Sequence, residues 1–202
     1  MKKTATLLIA LTCSLLALHA EEPRISLSEK GIVIEKDGLG ILTLEAPVLH
    51  LDSGKSEKPA FDVSGERAVA KYPGGTELQV ELQNGEVTVR YASVPPDAKA
   101  LMFAMNIPVS FSQGGKFAFG KGDLKEFPAE KGEKFVQNGV GEGKLVLAAP
   151  GDSTLVVETP TNWIAMQDNR VFGMNNFSWQ FLYDLRARAG KDSLTIRFSD
   201  KE

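Results

Sequence analysis

Histidine is the side chain that titrates nearest neutral pH, and the chain has two, His19 and His50. Cysteine occurs once, as Cys13. Cys13 and His19 both fall in residues 1–20, MKKTATLLIALTCSLLALHA, so the remaining chain has one histidine and no cysteine. That composition cannot build the usual three- or four-ligand zinc set or a redox thiol pair, and a Ser–His–Asp triad would have only His50 to use. There is no GxSxG elbow, no Gly-rich phosphate loop with lysine and no HExxH. Calcium needs only oxygen ligands, and Asp168, Asn169, Asn175 and Asn176 lie close together in sequence. They lack the spacing of a calcium loop, so turn chemistry is the better account of them. No cofactor is expected, and structural calcium is the one metal option left open.

Tyrosine with arginine offers a chemistry that needs neither cysteine nor a metal. A lyase acting on a uronic-acid polysaccharide requires a cation against the carboxylate and a base for the neighbouring proton. Tyr91 and Tyr183 share the alternation of apolar neighbours and belong to the core, whereas Tyr72, in KYPGG at 71–75, sits at a turn and is freer. Tyr72 or His50 would then be the base, with Arg90 or Arg170 as the cation. His50 itself lies on the strand face opposite Leu49 and Leu51 and reads first as a half-exposed strand residue. Glycoside hydrolysis needs two acids facing each other across a cleft. Glu45, Glu158 and Asp184 lie in apolar context but read as outward-facing strand residues.

Aromatic residues give the stronger lead. Sugar rings stack their C–H faces on exposed aromatics while their hydroxyls bond to Asn, Gln, Asp and Arg. Residues 160–180, PTNWIAMQDNRVFGMNNFSWQ, combine both kinds densely. Trp179 is in register with Phe177 and Phe181 and belongs to the core. Trp163 stands outside any clean alternation, with Gln167, Asp168, Asn169 and Arg170 close behind it. These five residues, with Tyr72 outlying, form the candidate carbohydrate-binding set.

The same stretch carries a family resemblance. MQDNR at 166–170, Phe172-Gly173 and FSWQ at 177–180 resemble a segment of β-sandwich domains in secreted bacterial polysaccharide-degrading proteins, rhamnogalacturonan-lyase-like ones among them. The turn APGD at 149–152 and the strands Leu145–Leu147 and Leu155–Val157 are similar too. The resemblance spans roughly the last hundred residues. It implies a carbohydrate context in which the sandwich is more often accessory than catalytic, and it transfers no catalytic residue.

The elements that must position these residues are nearly all strands. Residues 1–20 first set the compartment: Lys2 and Lys3 precede an uncharged apolar run from Leu7 to Leu18, and Ala20 is followed by Glu21-Glu22-Pro23. This is the layout of a cleaved secretory signal peptide, with an apolar run shorter than the ~20 residues a bilayer span requires. A periplasmic or extracellular protein is expected, with no membrane insertion once the leader is removed. The formal net charge is −3, and losing Lys2 and Lys3 leaves 21 basic against 26 acidic residues. Nucleic acid is therefore an unsuitable partner.

Residues 21–202 are expected to form one all-β domain, an antiparallel two-sheet β-sandwich of jelly-roll or super-sandwich type with ten to thirteen short strands. Its clearest unit is TELQVELQNGEVTVRY at 76–91, where Asn84-Gly85 supplies a type I′ turn. That turn pairs Leu82 with Val87, Val80 with Val89 and Leu78 with Tyr91, placing all three apolar pairs on one face. Further strands are expected at Ile32–Ile34, Ile41–Leu44, Val48–Leu51, Phe117–Phe119, Lys144–Leu147, Thr154–Glu158, Phe177–Leu185 and Leu194–Phe198. Pro108 should split Leu101–Met105 from Ile107–Phe111 at a bend or edge. Asp52–Pro59 and Lys121–Glu133 read as exposed loops. The functional expectation is a secreted, non-catalytic sandwich that binds polysaccharide or oligosaccharide, or assists an enzyme that degrades it. The alternatives are a small polysaccharide lyase and a cell-envelope structural or assembly protein with a protein partner.

Overall fold

The 76–91 segment folds into the hairpin that its pattern predicts. Gln79 faces Arg90, Val80 faces Val89 and Leu82 faces Val87. Asn84 and Gly85 take the positive φ values, 51° and 75°, that a type I′ turn demands. The structure, a computed structural model, describes residues 22–91, 94–132, 136–140, 143–151, 153–161, 163–187 and 190–200. Among these the chain runs through β1 (Arg24–Ser28), β2 (Gly31–Lys36), β3 (Gly40–Glu45), β4 (Val48–Leu51), β5 (Ser56–Glu57), β6 (Ala60–Ser64), β7 (Arg67–Lys71), β8 (Glu77–Gln83) and β9 (Glu86–Arg90). It continues through β10 (Ala98–Pro108), β11 (Lys116–Phe119), β12 (Lys125–Glu126), β13 (Val136–Val140), β14 (Lys144–Ala148), β15 (Thr154–Glu158), β16 (Trp163–Asp168), β17 (Asn176–Asp184) and β18 (Ser193–Ser199).

These strands form two antiparallel nine-stranded sheets. The first runs β1-β2-β3-β10-β17-β16-β13, with β4 and β5 continuing beside the other half of β10. The second runs β12-β11-β14-β15-β18-β9-β8-β7-β6. Their facing sides supply one apolar cluster that takes in nearly all of the buried hydrophobic side chains. The alternation of β17 decides its layout: Phe177, Trp179, Phe181 and Tyr183 are all 1% exposed or less. Phe103 stacks on Phe181 with centroids 4.6 Å apart, and Tyr91 meets Tyr183 edge-on with their hydroxyls hydrogen-bonded at 2.6 Å. The two-sheet sandwich is thus the architecture, and Trp179, Tyr91 and Tyr183 are core residues as expected.

Four expectations are corrected. Among the described residues eighteen strands stand in place of ten to thirteen, because β1, β6, β7 and β13 offer only two or three apolar positions each, alanines included, and β16 is an apolar run, Trp163 to Met166, without alternation. Pro108 splits nothing: β10 is continuous and central, and Pro108 is its last residue before a 3-10 turn at Val109–Ser112. The segment Asp52–Pro59 is not wholly a loop, since it holds β5 and the buried Glu57. In Lys121–Glu133, β12 forms and Phe127 is 3% exposed, with its ring among those of Phe111, Phe117 and Phe177.

Besides a register shift at Ala98/Ala100 between β10 and β4, an irregularity between β3 and β4 shapes the first sheet. Asn106 opposes Thr43 while Met102 opposes Val48, so β3 and β4 together carry one residue more than the stretch of β10 they face. That extra residue is a β-bulge at Ala46-Pro47. Ala46 donates its N–H to Lys30 across the fork, and the Tyr72 hydroxyl donates to the Pro47 carbonyl at 2.6 Å.

Candidate functional site

Strand register sorts the candidate residues onto two faces of the first sheet. In β16, Ile164, Met166 and Asp168 oppose Phe181, Trp179 and Phe177 and point with them into the core. Trp163, Ala165 and Gln167 oppose Leu182, Gln180 and Ser178 and point outward. The expected set is therefore divided, with Trp163 and Gln167 outside and Asp168 inside.

Asp168 and Arg170 form a closed unit. Asp168 is 0% exposed and caps the 3-10 turn Asn169–Phe172 by accepting the Arg170 N–H at 3.0 Å. The Arg170 guanidinium returns to the same carboxylate, with Nε 2.9 Å from Oδ1 and Nη2 2.7 Å from Oδ2. Its remaining donors reach the carbonyls of Pro128 and Ala129, and its plane lies over the Phe177 ring at 4.9 Å. Burial pushes the Asp168 carboxyl upward, but the hydrogen bonds and charge of Arg170 outweigh it and hold the group below its ordinary value. Asn169 is buried and accepts from Gln167 Nε2 at 2.7 Å. Asn176 bonds to Asn106. These residues brace the end of the β16–β17 hairpin and the 128–130 segment.

Tyr72 is not free. It is 4% exposed, its hydroxyl is donated to Pro47, and burial pushes that hydroxyl well above the ordinary tyrosine value. His50 does point outward, opposite Leu49 and Leu51 in the pleat, and its Nδ1 lies 2.9 Å from the Ser56 hydroxyl. Its Nε2 is buried with no hydrogen-bond partner among the described residues. Arg90 sits 3.9 Å from Glu81 on the outer side of the second sheet, across the sandwich from β16. No three His, Cys, Asp or Glu side chains converge among the described residues.

What the register does assemble is a continuous outward surface on the first sheet. Trp163, Leu182, Met102 and Val48 stand side by side across β16, β17, β10 and β4, all half-buried. The next row is Ala165, Gln180 and Ala104, and the one beyond is Gln167, Ser178, Asn106 and Thr43. Ala165 and Ser178 are only 3% exposed although they face outward. Longer neighbours therefore stand above them, and the middle of the surface is a low floor. The Thr161 hydroxyl holds the Trp163 end, accepting the Trp163 N–H at 3.2 Å and bonding to the Leu182 carbonyl. At the bulge a groove of about 480 Å³ opens from the same surface, lined by Thr43, Glu45, Val48 and Asn106 on the sheet and by Lys30 and Lys58 beside it.

Gln180, Asn106, Ser178, Leu182 and Met102 were not singled out from the sequence. The alternation of β17 already turns Ser178, Gln180 and Leu182 away from the core, which is the signal that could have found them. Nothing local places Asn106 beside them, because β10 and β17 are some seventy residues apart. No protein-family model, curated protein or solved structure matches this chain.

Proposed function

We propose that the chain is a secreted, non-catalytic glycan-binding module, suited to assisting the degradation of polysaccharide. One observation carries this reading: a half-buried tryptophan and an array of amide and hydroxyl side chains share one outward sheet face over a low floor. An indole beside Leu182 and Met102 offers an apolar platform for a sugar ring. Gln167, Gln180, Asn106 and Thr43 lie within the next two rows as donors and acceptors for its hydroxyls. Successive outward residues on a strand are separated by about 6.8 Å, so the three rows extend along the strands over a length suited to a short run of sugars. The leader pattern of residues 1–20 supports the secreted half of the proposal.

Trp163→Ala in the mature protein should abolish retention on an immobilised glycan array without changing far-ultraviolet circular dichroism. Because the indole is partly exposed and lies outside the core, the fold should survive its removal. Retention equal to that of the unmutated protein would reject this face as the binding site.

A further inference from the structure

We infer that this surface selects neutral glycans and discriminates against uronic-acid polymers, an inference that rests on the binding reading above. It follows from charge. The outward positions of the three strands that meet at Trp163 and Gln180 are Trp163, Ala165 and Gln167 on β16, with Asn176, Ser178, Gln180, Leu182 and Asp184 on β17. On β10 they are Ala100, Met102, Ala104, Asn106 and Pro108. None is lysine or arginine, and the one ionisable group is an acid. A polymer with a carboxylate on each sugar requires cations spaced along the groove, ideally guanidinium forks that grip it in two places.

Among the described residues the arginines nearest this surface are ion-paired, while Lys30, Lys58 and the exposed Lys99 stand at its margins. Arg24 lies 3.1 Å from Glu35 on the β1–β2 edge. Arg186, beyond the Asp184 end, is ion-paired with Asp52. Lys30 and Lys58 line the groove at the bulge together with Glu29 and Glu45. Arg170 is bound to Asp168 and turned toward the 128–130 segment. Asp184 accepts the backbone N–H groups of Arg186 and Ala187 and remains a negative charge at the edge of the face. A uronate laid on these rows would meet amides, methyl groups and a like charge.

Amides suit the opposite ligand. The amide of Gln180 rises between the methyl groups of Ala104 and Ala165, and its Nε2 has only a long contact, 3.4 Å, to Ser178 Oγ. It presents a donor and an acceptor from a half-buried position, as recognition of a neutral hydroxyl requires.

The test is affinity electrophoresis of the mature protein through gels containing a neutral β-glucan, a galactan or a mannan, against gels containing polygalacturonate or alginate. Retardation on at least one neutral gel and none on the acidic gels is expected, with mobility unaffected by raising salt from 20 to 300 mM. Gln180→Ala should weaken the neutral retention about fivefold, the loss of one hydrogen bond. Stronger retardation on the acidic gels, abolished by salt, would overturn the neutral preference while leaving glycan binding in place. Free migration through every gel would overturn the binding reading and this inference with it.

Discussion

Asp168 and Arg170 show how a residue pair that suggests recognition can serve support instead. A fully buried carboxylate is tolerable only with its charge compensated and its oxygens hydrogen-bonded, and Arg170 does both while also holding the carbonyls of the 128–130 segment. Asp168→Asn should destabilise the protein by about 3–5 kcal/mol, because it strands the Arg170 charge at a mostly buried site. Arg170→Lys should restore little, since an ammonium cannot make the forked contact. The pH dependence has a definite sign. A carboxyl held below its ordinary value contributes stability above the unfolded-state pKa, about 3.9, and loses it as the pH falls through the lower folded value. Urea titrations between pH 7 and pH 2.5 should therefore show Asp168→Asn losing less stability on acidification than the unmutated protein. Equal losses in both would show that the pair contributes nothing to acid sensitivity.

At the scale of elements, the bulge at Ala46-Pro47 divides the first sheet. It lets β2 and β5 both flank the same long run of strand, and it opens the groove beside Asn106. Gly31 makes it feasible. With φ at 137°, its backbone lies so close to the fork that an added Cβ would sit 2.3 Å from the Leu44 carbonyl oxygen and 2.8 Å from the Ala46 nitrogen, both backbone atoms. Gly31→Ala should cost well over about 1 kcal/mol, the combined effect of a strained φ and a clash that no side-chain rotation relieves. Thermal unfolding would show a clear fall in midpoint, and an unchanged midpoint would mean that the fork is plastic. None of this was legible beforehand. Nothing in the local pattern singles out Gly31, and the strands expected at Ile32–Ile34, Ile41–Leu44 and Val48–Leu51 do not reveal that β3 and β4 share a partner. The Asn84-Gly85 hairpin was fully legible because turn chemistry and alternation specify the same register within sixteen residues.

For the whole molecule, the sandwich holds because aromatic side chains from both sheets meet in one core. Phe127 is a joint in it: from the 121–132 segment it reaches Phe117 of the second sheet at 4.9 Å and Phe177 of the first at 4.7 Å. Phe127→Ala should cost about 3–5 kcal/mol, the price of a cavity left by a large buried ring. If the segment were the exposed loop that its charged, Gly- and Pro-containing sequence suggests, chemical denaturation would show almost no change. From its residues alone, the chain determined what depends on near neighbours and on composition. The β class, the hairpin, the inward aromatics of β17 and the scarcity of histidine and cysteine were all legible, because pleat, turn geometry and side-chain chemistry are local properties. Only tertiary structure decided which candidates share a face. Trp163 and Gln167 join Gln180 and Asn106 outside, Asp168 and Arg170 turn to support, and Tyr72 disappears under the bulge. Those outcomes depend on the pairing of β10 with β17 and β4 and on the contact of Tyr72 with Pro47, between residues far apart in the chain. No short-range pattern encodes such contacts.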